Sequence, residues 1–253
     1  MALTLVTIPC LEDNYAFVVH NPETGETALV DVPDAAPINA VLQNKGWRLT
    51  DVILTHHHWD HIDGLPDLET DARIIGAAAD EGRLPSLNLA VSEGDTFTLC
   101  GEQAQIIDVS GHTNNHIAIY LPESGIAFTA DSLMAMGCGR LFEGTPAQMW
   151  DSLQKLRALP PETVICSGHE YTESNARFAA TLEADNARLN SRILAIKTAR
   201  SAGRPTVPSL LSEEIATNPF LRADDPIMKK ALNMTTDTDL ATFTEIRSRK
   251  DHF

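Results

Sequence analysis

The chain has 253 residues with 19 basic and 35 acidic side chains, which give a formal net charge of −16 at pH 7. A charge of this sign repels nucleic acids and anionic membrane surfaces, so neither is an expected partner. No segment approaches the roughly 20 apolar residues that span a bilayer, and the first residues do not resemble a secretory signal. Four widely spaced cysteines without a C-x-x-C pair favour reduced thiols over disulfide bonds. We therefore expect a soluble, cytoplasmic protein. A monomer is our working expectation, although nothing in the composition decides it.

The first half of the chain predicts mainly β-strands. Short apolar runs divided by turn-rich segments, at 3–8, 15–20 and 27–32, are typical of an antiparallel meander. Asp34 to Lys45 predicts a helix that Gly46 ends. Further strand patterns lie at 52–55, 73–77, 104–109, 117–121, 126–130 and 164–166. Strands interleaved with a few helices indicate a mixed sheet layered with helices, and the expected fold class is α+β.

The sequence pattern changes near residue 170. Before it, Thr145 and Gln148 form a capping box that predicts a helix through about Leu159. Beyond it, strand patterns vanish and helical ones replace them, with apolar stripes formed by Leu189, Ile193 and Ile196 and later by Leu240, Phe243 and Ile246. We therefore expect a domain boundary near residue 170, with a first domain at 1–170 and a helical domain at 171–253.

Four candidate metal ligands are concentrated in residues 56–61, His56-His57-His58-Trp59-Asp60-His61. The segment follows the apolar run 52–55, which reads as a buried strand, and we expect it to form a loop. Imidazoles and a carboxylate are ligands of borderline divalent ions such as zinc. The alternative is an exposed histidine-rich stretch resembling a purification tag, but a tag would lie at a terminus and would not contain Asp60.

Three later side chains follow apolar runs in the same way. They are His112, Asp131 and His169. Taken singly, Asp131 reads as a turn carboxylate and His169 as a hydrogen-bonded loop histidine. Together with His56, His58, Asp60 and His61 they provide five histidines and two aspartates, which are enough for two ions that share a carboxylate and a water molecule.

The segment Thr55-His56-His57-His58-Trp59-Asp60-His61 contains an intact T-H-x-H-x-D-H signature, and the chain thereby resembles the metallo-β-lactamase superfamily. The resemblance implies an αββα sandwich, here with a C-terminal helical domain, and a dinuclear metal centre. By this resemblance the first ion would bind His56, His58 and His112. The second would bind Asp60, His61 and His169, and Asp131 would bridge the two. His116 is expected beside the ligands rather than among them.

Four further stretches resemble a narrower family, glyoxalase II or hydroxyacylglutathione hydrolase, along nearly the whole chain. They are residues 137–145, 169–172, 218–222 and 247–253. The resemblance implies that Arg140, Tyr171, Arg247 and Lys250 contact glutathione, with Phe142 where a tyrosine is often found. Arg247 and Lys250 are three residues apart on a predicted helix, so they share a face and could hold glutathione carboxylates. The alternative is a solvated charged surface, which we prefer for Arg249.

This family resemblance implies hydrolysis of S-D-lactoylglutathione, an S-2-hydroxyacylglutathione thioester, to glutathione and D-lactate, the second step of methylglyoxal detoxification. Two divalent ions per chain, zinc with iron or manganese as alternatives, would activate a water molecule. Asp60 and Asp131 would be the catalytic residues. The main alternative is a mononuclear iron persulfide dioxygenase of the same fold. A non-enzymatic metal-binding or RNA-processing role comes third.

Three places depart from the family pattern. Asp31-Val32-Pro33-Asp34 replaces a commoner Asp-Pro-Gly-Asp turn, and Asp63 and Asn115 each replace a glycine. Asp63 either orients an imidazole from outside the metal ligands or is simply exposed.

Overall fold

The computed structural model describes residues 3–253, and the chain divides into two compact units. The first unit contains the described residues through Asp108 together with Asn115–Ala130. The second contains Val109–Asn114 and Asp131–Phe253. Each unit combines strands with helices, which confirms the predicted α+β class.

Six strands of the first unit form a mixed sheet in chain order. They are β1 (Thr4–Cys10), β2 (Asn14–His20), β3 (Thr27–Val30), β4 (Asp51–Leu54), β5 (Arg73–Ala77) and β6 (Leu89–Val91). The first three pair antiparallel, as the meander pattern predicts. From β3 to β6 the pairing is parallel, with Val30 opposite Ile53. The carboxyl ends of β3 and β4 are therefore neighbours, and residues that follow these two strands emerge side by side.

Two helices connect strands of this sheet. Parallel neighbours need a crossover, and α1 (Ala35–Lys45) makes the one between β3 and β4. Asp34 caps α1 by accepting a hydrogen bond from the Ala36 amide, and Gly46 ends it at a φ of 69°. The short α2 (Trp59–Ile62) lies between β4 and β5. The predicted first helix and its end are confirmed.

Four more strands of the first unit pair antiparallel in chain order. They are β7 (Thr96–Leu99), β8 (Glu102–Asp108), β9 (Ile117–Leu121) and β10 (Ile126–Ala130). The sequence prediction missed β6 and β7. Both are short and only partly buried, so neither presents the continuous apolar run that marks a core strand.

The second unit is mainly helical. Its helices are α3 (Pro146–Arg157), α4 (Thr172–Leu182), α5 (Ala187–Ser201), α6 (Leu211–Thr217), α7 (Pro226–Ala231) and α8 (Asp239–Asp251). Its strands are β11 (Leu133–Met134), β12 (Gly137–Cys138), β13 (Val164–Ser167) and β14 (Ser209–Leu210). The expectation that strands vanish after residue 170 is wrong for β14, which pairs with β13. Two residues are too few to leave a sequence pattern.

The helical half packs around apolar stripes of the predicted kind. Leu189 and Ile196 are buried and Ile193 packs against them, in a cluster with Met136, Ala176 and Ala179. In α8, Phe243 and Ile246 are buried, but Leu240 is 37% exposed, so that stripe is wrong at its first position. The capping box of α3 is present, with both Thr145 and Gln148 making its hydrogen bonds. Within residues 3–253, no helix is both long and apolar enough to cross a membrane.

Candidate metal centre

The histidine-rich segment 56–61 starts as a loop and ends as one helical turn. It leaves β4 at Leu54, and α2 begins at Trp59. The amide of His61 donates to the His58 carbonyl at 2.9 Å, and the amide of Asp63 donates to the Trp59 carbonyl at 2.8 Å. A helical turn pairs backbone groups locally where no partner strand is present. The prediction of a loop over 56–61 is therefore wrong for residues 59–61, which belong to α2.

A buried hydrogen-bond chain fixes two of the imidazoles in the first unit. Nδ1 of His56 lies 2.9 Å from Oγ1 of Thr55, whose hydroxyl donates to Oδ2 of Asp31 at 2.9 Å. Nδ1 of His61 lies 2.8 Å from the same Asp31 oxygen. Because the carboxylate only accepts, His61 donates to it from Nδ1. Because the Thr55 hydroxyl also donates to the carboxylate, its oxygen accepts the Nδ1 proton of His56. Nε2 is then the ring nitrogen of His56 and of His61 that could coordinate an ion.

Asp31 follows β3 directly and is 2% exposed. Its other oxygen accepts the Thr55 amide at 2.9 Å, so three donors converge on one carboxylate. Its φ is 60°, in the left-handed region that aspartate tolerates better than most residues. The sequence analysis treated Asp31 only as part of a turn. The available signal was its place after a strand that neighbours β4.

The ligand atoms of the first unit are grouped in pairs. Those of His56 and His58, of His56 and His61, and of Asp60 and His61 each lie within 4.8 Å of one another. Nδ2 of Asn14, at the start of β2, donates to Oδ2 of Asp60 at 3.1 Å and to its carbonyl at 3.0 Å. Asn14 thus orients the only carboxylate of the segment, a role that the sequence analysis missed.

His116 lies beside a candidate ligand histidine, His56. Its ring stacks on that of His56, with centroids 4.5 Å apart and planes inclined by 16°. His116 is fully buried. The stack limits rotation of the His56 ring and so maintains the direction of its Nε2 atom.

In the second unit, Asp131 lies between two imidazoles. Its Oδ2 atom is 3.3 Å from Nε2 of His112 and 3.3 Å from Nε2 of His169. All three side chains are at least nine-tenths buried. Two Nε2 atoms directed at one carboxylate oxygen are the arrangement that a bridging carboxylate with one histidine on each side requires.

Glycine is required beside this group. A Cβ atom on Gly139 would lie 2.0 Å from the Asp131 carbonyl oxygen and 2.9 Å from Nδ1 of His112. The next residue, Arg140, accepts a hydrogen bond from His112 Nδ1 on its carbonyl, at 2.8 Å. The turn after β12 therefore sets both the position and the tautomer of His112, so Nε2 is the ring nitrogen that could coordinate an ion.

The donor set fits a divalent metal ion. Metal-binding histidines generally donate their second ring N–H to a carboxylate, a hydroxyl or a carbonyl, which fixes the ring and raises its basicity. His56, His61 and His112 all do so through Nδ1. Imidazole nitrogens together with carboxylates suit zinc, iron and manganese. The side chains are thus prepared for metal binding.

Two family models match consecutive parts of the chain. Residues 12–169 match the metallo-β-lactamase superfamily, and residues 170–253 match the hydroxyacylglutathione hydrolase C-terminus. The hydroxyacylglutathione hydrolase of Jannaschia sp. is 59% identical over 251 residues, which cover 98% of each chain. The chain belongs to the hydroxyacylglutathione hydrolase family. Further relatives of that name are 53–59% identical over at least 98% of the chain.

Solved structures place this hydroxyacylglutathione hydrolase family member in the metallo-β-lactamase fold, as predicted. The crystal structure of the BLEG-1 B3 metallo-β-lactamase has a TM-score of 0.67 at 17% identity, covering 86% of this chain and 99% of its own. The crystal structure of TTHA1623 in a di-iron-bound form has a TM-score of 0.62 at 25% identity, covering 86% of this chain and all of its own.

The residues that resemble the glutathione contacts of hydroxyacylglutathione hydrolases all lie in the second unit. Tyr171 is 39% exposed and stacks on His169 at 4.7 Å, and Phe142 is 62% exposed and meets His112 edge-on at 5.3 Å. Arg140 is exposed, whereas Arg247 is buried and donates to the Cys138 carbonyl at 3.0 Å. An aromatic ring is thus next to each of two candidate ligands.

Lys250 has the most unusual electrostatic environment of these residues. Its Nζ atom is 3.5 Å from the Ser174 hydroxyl and lies over the ring of Phe253 at 5.2 Å. Burial, helped by the positive charges of Arg247 and Arg177, lowers the pKa of Lys250 to about 8, although Asp251 acts in the opposite direction. Lys250 therefore changes its charge within the physiological pH range.

The departures from the family pattern have local explanations. Asn115 has a φ of 66°, a backbone conformation in which asparagine is one of the few acceptable replacements for glycine. The side-chain amide of Asn115 also donates to the Ala79 carbonyl at 3.0 Å. Asp63 is exposed, so of its two expected roles the solvent-facing one applies. Asp34 of the replaced turn caps α1.

Proposed function

We propose that this chain hydrolyses S-2-hydroxyacylglutathione thioesters, with S-D-lactoylglutathione as substrate and glutathione and D-lactate as products. The observation that carries the proposal is identity of 59% over 98% of both chains with a relative named for this activity. Identity of 53–59% along the full length to relatives named hydroxyacylglutathione hydrolase disfavours the persulfide dioxygenase alternative. The reaction would be the second step of methylglyoxal degradation.

We propose further that seven side chains hold two divalent ions. His56, His58 and His112 would bind one, Asp60, His61 and His169 the other, and Asp131 both. The grouping within each unit supports this proposal: ligand atoms of His56 and His58, and of Asp60 and His61, lie within 4.8 Å in the first unit, and Asp131 lies between His112 and His169 in the second. Zinc is the ion we propose, with iron or manganese as alternatives for the same ligands. The di-iron form of TTHA1623 is a precedent for two ions on this fold.

When bound, such ions supply Lewis-acid activation of water and stabilise negative charge on the thioester carbonyl oxygen. The chain's own residues prepare the reaction around them. Asn14 orients the Asp60 carboxylate by one side-chain hydrogen bond to Oδ2, and this carboxylate would accept a hydrogen bond from the attacking water. No protein nucleophile is required. The catalytic residues would be Asp60 and Asp131.

The glutathione part of the substrate would bind to the second unit. We propose contacts with Arg140, Phe142, Tyr171, Arg247 and Lys250, and a substrate-binding domain at 171–253 that follows a catalytic domain at 1–170. The three cations oppose a net charge of −16 and suit the two carboxylates of glutathione. The phenylalanine at 142 offers a ring without the hydroxyl contact of a tyrosine.

The proposal includes a reducing, cytoplasmic location and a monomeric state. Cys10, Cys100, Cys138 and Cys166 are all free and buried. Burial raises the pKa of the Cys10 and Cys138 thiols to about 11, so these thiols remain protonated and unreactive at neutral pH. Thiols of this kind suit a reducing compartment.

The activity is tested by product analysis on two candidate substrates. With S-D-lactoylglutathione, the proposal predicts loss of thioester absorbance matched one-to-one by free thiol and D-lactate, without oxygen uptake. With glutathione persulfide, an oxygen electrode should record no consumption. Oxygen uptake with the persulfide and an intact thioester would instead favour the dioxygenase.

A further inference from the structure

The carboxylate of Asp251, the last residue of α8, forms ion pairs with two of the residues that we propose to bind glutathione. Its Oδ1 atom is 2.9 Å from Nη2 of Arg247 and 3.6 Å from Nε of Arg140. Arg247 lies one helical turn earlier on α8, whereas Arg140 comes from the turn after β12. Asp251 therefore connects two cations from distant parts of the sequence.

The two arginines differ in how firmly they are held. The Arg247 side chain is only 7% exposed, donates to the Cys138 carbonyl and lies over the Phe220 ring at 4.9 Å. The Arg140 side chain is 60% exposed, and its ion pair with Asp251 is the restraint on its guanidinium. A long exposed side chain loses rotamer entropy when it binds a ligand, unless something holds it beforehand.

We infer that Asp251 is a positioning residue for substrate binding: anchored by Arg247, its carboxylate holds the Arg140 guanidinium ready for a glutathione carboxylate. The inference rests on the proposed function and extends it to a residue that does not touch the substrate. Specificity for glutathione thioesters would then depend on an acidic side chain inside a site for an anionic ligand.

Charge alone predicts the opposite result, which makes the inference testable. Removing a carboxylate from a cluster of cations makes that cluster more positive, and should strengthen binding of an anionic substrate. Removing a positioning residue should weaken it, because Arg140 must then be ordered by the substrate itself. The sign of the change in KM separates the two effects.

The experiment compares Asp251→Asn, Arg140→Gln and the double variant with the wild type. Kinetics are measured with S-D-lactoylglutathione at pH 6.5, below the pKa of about 8 of Lys250, so that its charge is constant. We expect Asp251→Asn to raise KM about three- to tenfold, the cost of ordering one long side chain, with kcat within about twofold. In the Arg140→Gln background it should add nothing, because two residues that act through one contact are not additive.

A matched control is available on the same helix. Glu245 pairs with Arg249 at 2.8 Å with the same four-residue spacing, and both are exposed. Glu245→Gln therefore removes an equivalent ion pair from α8 and should leave KM unchanged. Asp251→Glu, which keeps the charge, should recover most of the lost affinity.

Three outcomes would overturn the inference. They are an unchanged or lower KM in Asp251→Asn, an equal rise of KM in the Arg140→Gln background, and loss of folding in Asp251→Asn, which would assign the carboxylate to the stability of α8. Failure of the proposed function is distinguishable, because the wild type would then not hydrolyse the thioester at all.

Discussion

Asp31→Asn replaces one oxygen of a buried carboxylate by an NH2 group and leaves the shape of the side chain nearly unchanged. The remaining oxygen can still accept the hydrogen bond from the Thr55 backbone amide, which is 2.9 Å long in the wild type. The new NH2 group would face the Thr55 hydroxyl and Nδ1 of His61, which both donate to Oδ2 at present. Thr55 can rotate its hydroxyl, but His61 can avoid two opposed donors only by moving its proton to Nε2. That tautomer cannot coordinate a metal ion through Nε2.

The expected effect is a loss of about 10- to 100-fold in metal affinity and in kcat/KM, the usual range for a partner of a metal-binding histidine. This corresponds to roughly 1.4–2.8 kcal/mol. Unfolding stability should fall by about 1–3 kcal/mol, since a charged acceptor is lost from a buried network. The backbone should not change, because asparagine tolerates the φ of 60° at this position.

Metal affinity is measured by competition with a chromophoric chelator, and kcat/KM on the same preparations. Asp34→Asn is the matched control in the same turn. Asp34 caps α1 with a hydrogen bond from the Ala36 amide, and asparagine caps helices equally well. Wild-type metal affinity and activity in Asp31→Asn would refute the argument that this carboxylate sets the His61 tautomer.

Three further predictions concern the second unit. Gly139→Ala should abolish most activity, because the new Cβ would lie 2.0 Å from the Asp131 carbonyl oxygen and must displace Asp131 and His112. Metal content and kcat, measured together, should both fall. Normal values for both would contradict this prediction. Lys250 has a pKa lowered to about 8, so it is protonated below that pH, and KM should rise as the pH increases through 8. Lys250→Arg stays charged and should abolish this rise. If the KM–pH profile of Lys250→Arg equals that of the wild type, Lys250 is not the source of the rise. Asn218→Ala should lower the free energy of unfolding by about 2–3 kcal/mol in denaturant titrations. The side-chain amide of Asn218 donates to the Met134 and Gly137 carbonyls, and loss of these hydrogen bonds leaves buried acceptors unpaired. A change below about 0.5 kcal/mol would contradict the prediction and show that the site relaxes.

Local patterns were sufficient where the chain's own neighbours determine the structure. The capping residues of α1 and α3, the antiparallel start and the apolar stripe of α5 follow from residues within a few positions of one another. The short segment 59–61 was read as a loop because the four residues of α2 carry too little periodicity to indicate a helical turn. The two-residue β14 was missed for the same reason.

The supporting residues of the candidate centre could not be predicted in this way. Asp31 and His61 are 30 residues apart, and Asn14 and Asp60 are 46 apart. These contacts depend on the parallel pairing of β3 with β4 and on the start of β2, which no local pattern specifies. Arg247 shows a related limit: helical spacing indicated a face shared with Lys250, but not that the Arg247 side chain is buried, donates to the Cys138 carbonyl and pairs with Asp251.

The most direct test of the account measures hydrolysis of S-D-lactoylglutathione and metal content on one preparation, before and after chelation and during stepwise return of zinc, iron or manganese. The account predicts that chelation abolishes thioester cleavage, that added metal restores it, and that activity is complete at two ions per chain. Full activity in metal-free protein, or no activity with both ions restored, would contradict it.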